Sequence, residues 1–243
     1  MTRFAGPILF AALCAPALSA TAQTATPALD PPGQAVSATP TFSQSPQQSF
    51  PRLSGLADTA IQAQVNKQLA NRERIDRGAR TDCLRSTRTT KAIYSELVRL
   101  SYLSPRLLSV DVRTSFFCGG SYTSDNVPYP ITFDLATGHE LDWNRFFTAE
   151  FLNPPADKPS PLLQLYLRYA KLDEECTSAV NDPSTTFDLW LDSSRRALIA
   201  HPSSLPHSSD LCAKLTPIPF TELKPYLRDP LIRQELLTPH SPQ

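Results

Sequence analysis

Four cysteines constrain the fold of this 243-residue chain more than any other feature of its sequence. Cys83, Cys118, Cys176 and Cys212 are widely spaced, and an even number of cysteines in an exported chain is typical of a disulfide framework. Four cysteines allow three connectivities. We favour Cys83–Cys118 and Cys176–Cys212, because these pairs close loops of similar length. No two cysteines are close enough in sequence to suggest zinc ligands, so we expect no metal and no cofactor.

The N-terminus indicates export. Arg3 precedes an apolar run, Ile8–Leu18, and small residues then end in an A-x-A cleavage pattern at Ala22. This is the organisation of a secretory signal peptide over residues 1–22. The run is shorter than the roughly 20 apolar residues that span a bilayer. We therefore predict a periplasmic or secreted protein with no membrane span after cleavage, and the fifth cysteine, Cys14, is removed with the signal.

The composition of the mature chain suggests a linker followed by a single domain. Segment 23–49 is rich in Pro, Ser, Thr and Gln and holds one charged residue, so we predict a disordered linker. Residues 50–235 are predicted to form the domain and residues 236–243 a tail. Removing Arg3 from 23 basic and 23 acidic residues leaves a net charge near −1. General nucleic-acid binding needs a basic footprint, so we predict no such partner.

Hydrophobic patterning predicts an α+β fold. Apolar residues from Leu56 to Leu69 follow helical spacing, with Ser54 as a candidate N-cap and Asp58 near the positive end of the helix. Two strand-like runs flank Pro105 and predict an antiparallel hairpin. Later segments alternate between strands and helices: strands in 129–141, 186–192, 196–202 and 211–220, and helices in 160–176 and 221–227 with Thr221 as a cap. We therefore expect an antiparallel sheet with helices packed on one face, in a single domain with two disulfides.

The stretch "SFFCGGSYTSDN" is the candidate ligand site. Its glycines follow a predicted strand and permit positive φ and a close backbone approach. We interpret it as a bend stapled through Cys118, which presents a binding loop. The candidate ligand residues are Gly119, Gly120, Ser121, Tyr122, Asn126 and the nearby Tyr129. The sequence holds no G-x-S-x-G, H-E-x-x-H or Walker A motif, so no catalytic residue is assigned.

A basic cluster lies between residues 72 and 91. Seven basic and three acidic residues give this stretch a net charge of +4. Two interpretations remain: a patch for an anionic ligand, or a solvated helix end and loop, which is the commoner origin of such a cluster.

Several sequence blocks together resemble a known group of exported domains. The blocks are "FPRLSGLADTAIQAQVNKQL", "FFCGGSY", "TFDLATGHEL", "LPHSSDLC" and "PIPFTELKPYL". They are similar to the RsiV/PdaC-type bacterial domain of unknown function. That group includes the extracellular domain of a lysozyme-sensing anti-sigma factor and the accessory region of a peptidoglycan deacetylase. The resemblance implies an α+β fold, an extracytoplasmic location, and binding or sensing more than catalysis.

The chain also departs from this group. The group's glycine motif continues with Ala-His, whereas Ser121 and Tyr122 follow the glycines here. The metal-binding pattern of the deacetylase domain has no counterpart in this sequence. The resemblance therefore implies neither a role for that histidine nor deacetylase activity.

Two function hypotheses follow. The first is an exported non-enzymatic binding or sensing domain of the bacterial cell envelope, with a peptidoglycan-related glycan or a lysozyme-like protein as its partner. The alternative is a small envelope hydrolase that acts on glycans or esters and uses His139, His207 or Asp134.

Overall fold

The computed structural model describes residues 41–43, 49–86, 91–119, 123–155, 158–182 and 184–238. The strands are β1 Thr41–Ser43, β2 Arg52–Ser54, β3 Ile93–Leu103, β4 Leu107–Phe117, β5 Thr123–Pro128, β6 Ile131–Asp134, β7 His139–Glu140, β8 Phe187–Asp192, β9 Ala197–Pro202 and β10 Thr216–Pro219. The helices are α1 Thr59–Ser86, α2 Trp143–Phe146, α3 Ala149–Leu152, α4 Pro161–Ala170, α5 Glu174–Val180, α6 Phe220–Leu223 and α7 Pro230–Leu237, with a 3₁₀ helix at His207–Cys212.

Helix α1 packs on the first antiparallel sheet. The side chain of Asp58 accepts hydrogen bonds from two backbone N–H groups of the first turn, so this residue is the N-cap. Val65 and Leu69 are fully buried and share a core with strands β4 and β6. Further along the helix, the buried positions are occupied by Glu73 and Asp76. The helix extends well past the predicted apolar pattern because polar side chains anchor its second half.

The first sheet has five strands. Its order is β3-β4-β6-β7, and β5 pairs with the part of β4 that β6 does not reach. β3 and β4 form the predicted long hairpin, which runs from Ile93 opposite Phe117 to Leu103 opposite Leu108, with a register shift between Leu100 and Tyr102. The short strand β7 forms the edge next to α1. This arrangement leaves a gap between the helix and the β6–β7 hairpin.

A second sheet and the remaining helices form the other core. Strands β10-β9-β8 are antiparallel, as predicted for the two segments around residues 187–202. Helices α2 to α7 contribute to the core of this half, which contains the fully buried Tyr166 and Leu191. The two sheets meet where the backbone N–H of Leu191 donates to Ser109 Oγ at 3.2 Å.

Both predicted disulfides are confirmed, as is the antiparallel α+β class. Cys83–Cys118 joins the end of α1 to the residue that follows β4. Cys176–Cys212 joins α5 to the 3₁₀ helix. The strands divide between sheets of two, three and five strands. Within the described residues, no helix is both long and apolar enough to cross a membrane.

Several local predictions differ from the structure. The predicted helix 160–176 is two helices, α4 and α5, because Lys171 ends α4 in a left-handed conformation with a φ of 48°. Of the predicted strand 211–220, only Thr216–Pro219 is a strand. Residues Thr41–Ser43 of the predicted linker form β1, which pairs with β2. The signal segment and linker residues 23–40 and 44–48 lie outside the described residues. Ser54 is not the cap of α1, because it lies in β2 and bonds to Thr41. Thr221 does not cap α6 but lies inside it, after Pro219 at the N-cap.

Candidate binding groove

The gap between α1 and the β6–β7 hairpin is an open groove of about 710 Å³. Its floor contains Ile131 and Phe133 of β6, two buried residues that also contact the core under α1. One wall is α1 and the other is β7. The remaining lining residues are Ala63, Gln64, Lys67, Gln68, Asn71, Arg72, Ile75, His139 and Glu140.

Helical spacing assembles the polar wall. Gln64, Lys67, Gln68 and Asn71 lie at i, i+3, i+4 and i+7, which places them on one side of α1. The neighbouring positions Val65 and Leu69 turn toward the core. The groove side of the helix is therefore amide-rich and carries a cation.

The β6–β7 turn holds the opposite wall. Its tight bend needs Gly138, whose φ of 71° is unfavourable for other residues, and Asp134 Oδ1 accepts from the N–H of Ala136. Gln68 Nε2 donates to the carbonyl oxygen of Gly138 at 2.6 Å, and Gln64 Nε2 lies 3.1 Å from the ring nitrogens of His139. These two glutamines fix the width of the groove.

A cluster of ionisable side chains lies where α1 faces β3. Asp76 and Glu96 approach each other there, and Tyr129 Oη donates to Glu96 Oε1 at 3.0 Å. The guanidinium of Arg72 lies over the Tyr129 ring, 4.5 Å from its centroid, and its Nε is 3.8 Å from Asp76 Oδ1. Arg72 also lines the groove, so it connects the cluster with the binding surface.

The surroundings in this cluster raise the pKa of Asp76 and that of Tyr129. Burial raises the pKa of Asp76 from its ordinary 3.8 to about 6, and the nearby charge of Glu96 adds to the effect. Burial, together with the charges of Asp76 and Glu96, also raises the pKa of Tyr129 far above its ordinary value. Asp76 Oδ2 is buried without a hydrogen-bond partner. Asp76 therefore changes its charge within the pH range of natural environments.

A second acid of α1 is stabilised in its charged form. Burial pushes the pKa of Glu73 upward, but hydrogen bonds from Arg52 and from the backbone of Ser49 outweigh it. The net result is a lowered pKa. Glu73 therefore anchors the β2 segment to the middle of α1.

Three of the sequence-predicted ligand residues lie within the described residues: Gly119, Asn126 and Tyr129. Gly119 follows the Cys118 disulfide with a φ of 82°. Asn126 is exposed, has a φ of 55°, and its backbone N–H donates to Ser115 Oγ. Tyr129 is half-buried in the Arg72 cluster. The other three candidate ligand residues lie outside the described residues: Gly120, Ser121 and Tyr122.

Two residues of the alternative hypothesis, Asp134 and His139, lie opposite each other in the β6–β7 hairpin. His139 lines the groove, and Asp134 is used in the β6–β7 turn. His207 is the first residue of the 3₁₀ helix, and its side chain lies outside the described part of the chain. Within the described ranges, no three His, Cys, Asp or Glu side chains are grouped to hold a metal ion.

Sequence reasoning missed the groove. Its two walls are more than sixty residues apart in the chain, so only the fold brings them together. One signal was present: Asp76 and Cys83 continue the seven-residue spacing that begins at the core residue Leu69. An acid at a core position of a helix indicates a buried polar contact.

Comparison with solved structures shows the fold. A member of the DUF3298 family from Bacteroides fragilis NCTC 9343 superposes with a TM-score of 0.55 and 10% identity, covering 84% of this chain and 99% of that chain. A DUF3298 family protein from Pseudomonas aeruginosa PAO1 gives a TM-score of 0.45 and 13% identity, over 79% and 92% of the two chains. No family model and no curated protein matches the sequence. The likeness to the Bacteroides structure, at 10% identity, shows the fold alone.

Proposed function

We propose that this chain is an exported binding or sensing domain of the bacterial cell envelope, of the RsiV/PdaC type, and that a peptidoglycan-related glycan binds in the groove between α1 and β6–β7. The groove of about 710 Å³ carries the proposal, because its volume is that of a small-ligand site. The two disulfides are compatible with an oxidising compartment outside the cytoplasm. The sequence resemblance supports the same location and role.

The lining chemistry suits a saccharide. Gln68 uses its amide nitrogen for Gly138, which leaves its carbonyl oxygen to accept from a ligand hydroxyl. Asn71 Oδ1 accepts a hydrogen bond from Arg74. The two N–H donors of the Asn71 amide are therefore left for a hydroxyl or acetamido oxygen of the ligand. Ile131 and Phe133 supply an apolar floor for the C–H face of a sugar ring. A few polar groups over an apolar base are typical of such sites.

The test is binding of the oxidised full chain to insoluble peptidoglycan and to soluble chitotriose. Asn71→Ala should weaken binding about 10-fold, which corresponds to the loss of one hydrogen bond to a ligand in a partly dry site. Arg85→Ala, an exposed position at the far end of the same helix, is the matched control and should bind as the wild type does. Retention of no protein by peptidoglycan, or equal affinities for Asn71→Ala and wild type, would contradict the proposal.

A lysozyme-like protein is the other partner suggested by the resemblance. A stable protein partner needs an interface of about 1,000 Å² or more, which is wider than the groove itself. The loop residues Gly119 and Asn126 stay proposed contacts for such a partner. Immobilised lysozyme in the same pull-down separates the two partners, because Asn71→Ala should weaken glycan binding and leave lysozyme binding unchanged.

A hydrolase is the second candidate, and His139 favours it because this imidazole lines the groove. Its hydrogen-bonding partner in the groove is Gln64 rather than a carboxylate. The test is turnover of acetylated glycans and simple esters by the wild type and His139→Gln. Turnover that disappears in His139→Gln, with folding intact, would favour the hydrolase over the binding domain.

A further inference from the structure

Arg72 belongs both to the groove and to the acid cluster beneath it. Its side chain is about one-third exposed, lines the groove, and stacks on Tyr129. Its only ion-pair partner within the described residues is Asp76, at 3.8 Å from Nε. That distance is too long for a hydrogen bond, and Nε has no other partner. Nε itself is buried, but none of the described hydrogen bonds involves the terminal Nη groups of Arg72, so these groups remain for a ligand in the groove.

The charge that Arg72 shows to the groove depends on its surroundings. The charged and titratable groups that act on Asp76 are Arg72 on α1, Glu96 on β3 and Tyr129 before β6. Tyr94 on β3 interacts with Asp76, and Arg80 on α1 interacts with Tyr94. Of the two carboxylates, Asp76 is the one that contacts Arg72, and Glu96 is held by the hydroxyl of Tyr129. Ionised Asp76 thus offsets the charge of Arg72, and neutral Asp76 leaves it uncompensated.

The groove also holds a second cation. Lys67 is exposed on the polar wall and forms no ion pair with any described residue. Glu140 on the opposite wall is the acidic lining residue. With Asp76 neutral, Lys67 and Arg72 therefore exceed Glu140 by one positive charge.

We infer that the groove takes a glycan that carries a carboxylate or phosphate group, that Lys67 and Arg72 bind this group, and that protonation of Asp76 strengthens the binding by releasing Arg72. The inference rests on the proposed function and adds the charge class of the ligand and its control. An anion in the groove and the Asp76 carboxylate compete for one guanidinium, so each disfavours the other. By linkage, anion binding must then be coupled to proton uptake at Asp76.

The experiment measures the affinity of the oxidised full chain by calorimetry between about pH 5 and pH 7.5, across the pKa of about 6 at Asp76. Muramyl dipeptide is the carboxylate probe and chitotriose the neutral probe. A glycerol phosphodiester is the phosphate probe, because its single negative charge does not change over this pH range. The wild type should bind the anionic probes about 5-fold more tightly at the lower pH, the modest end of coupling between interacting sites. Chitotriose should show no such change. The two anionic probes distinguish a carboxylate from a phosphate source.

Three variants isolate Asp76. Asp76→Asn should bind anionic probes at the higher pH as tightly as the wild type does in acid, and should lose the pH dependence. Histidine titrates in the same range, so His139→Gln is included, and it should retain the wild-type pH dependence. Asp82→Asn, an exposed position on the same helix, is the matched control. Lys67→Gln should weaken binding of anionic probes more than binding of chitotriose.

The possible outcomes distinguish a failure of the inference about anionic ligands from a failure of the proposed function. Binding of chitotriose and muramyl dipeptide with the same affinity at both pH values would overturn the inference and leave the proposed function standing. A pH dependence that survives in Asp76→Asn and disappears in His139→Gln would also overturn it. Absence of binding to every probe at both pH values would overturn the proposed function and the inference with it.

Discussion

Replacing Asp76 with asparagine should stabilise the protein at neutral pH and leave its stability in acid almost unchanged. Asp76 is only 7% exposed, and its pKa in the folded state is about 6 instead of the ordinary 3.8. The folded protein therefore binds a proton more tightly than the unfolded chain does. A raised pKa contributes stability below about pH 4, and this contribution is lost as the pH rises through 6.

The magnitude follows from the difference between the two pKa values. Each pKa unit corresponds to about 1.4 kcal/mol, so ionised Asp76 costs the folded state about 3 kcal/mol above pH 7. Asparagine has nearly the same shape and stays neutral. The free energy of unfolding of Asp76→Asn should therefore exceed that of the wild type by up to about 3 kcal/mol above pH 7, and the excess should vanish near pH 4.

The assay is urea denaturation of both proteins at intervals between about pH 4 and pH 8, with disulfides kept oxidised. If Asp76→Asn lowered the free energy of unfolding by the same amount at every pH, that decrease would measure only the missing contact with Arg72. The pH-dependent part of the difference isolates the titration. Asp82→Asn on the exposed side of α1 serves as the control and should follow the wild-type curve. A difference between Asp76→Asn and wild type that does not grow with pH would refute the reasoning.

Three further predictions concern the scaffold around the groove. Changing both Cys83 and Cys118 to alanine opens a loop with a sequence separation of 35, and should lower the free energy of unfolding by about 4 kcal/mol; equal stability of the double variant would contradict the role of this disulfide. Gly138→Ala should cost about 1–2 kcal/mol, because its φ is 71° and a new Cβ would lie 3.3 Å from an α1 side chain; chitotriose affinity should fall with it. The pKa of Glu73 is lowered, since hydrogen bonds from Arg52 outweigh burial, so its contribution to stability is present above about pH 4.5 and lost as the pH falls. Urea denaturation should show a lower free energy of unfolding for Glu73→Gln than for the wild type at neutral pH, and no difference in acid.

Much of the scaffold was predictable because its signals are local. Alternating apolar residues predicted β4, a strand-like run before Pro105 predicted β3, and the turn that ends at Gly138 predicted the β6–β7 hairpin. The cysteine pairing followed from an even count and similar loop lengths. The strand and turn signals depend on residues that are near one another in the chain, whereas the cysteine pairing depends only on the number and spacing of the cysteines.

The second half of α1 lacked such a signal. After Leu69, the positions that face the sheet are polar, with Glu73 bonded to Arg52 and Asp76 placed against Glu96. A helix that is anchored by buried charges carries no apolar period. The basic stretch from Arg72 onward therefore resembled a solvated end, although it is a helix whose inner side is buried.

The groove was not predictable for a different reason. Its polar wall has the pattern of a solvent-exposed helix side, and it becomes a wall only because β7 lies opposite. Likewise, Tyr129 was grouped with the Gly119 loop by its proximity in sequence, whereas its side chain contacts Arg72 and Glu96. Contacts between distant segments depend on strand order, which a single sequence does not specify.

The most direct test of the account is to locate the bound ligand by amide chemical shifts. The full chain, labelled with ¹⁵N, is titrated with muramyl dipeptide and then with chitotriose. The account predicts that the largest shifts occur in two segments, residues 63–75 of α1 and residues 131–140 of the β6–β7 hairpin. Shifts confined to other surfaces, or no shifts at saturating concentrations of both ligands, would contradict the claim that this groove is the binding site.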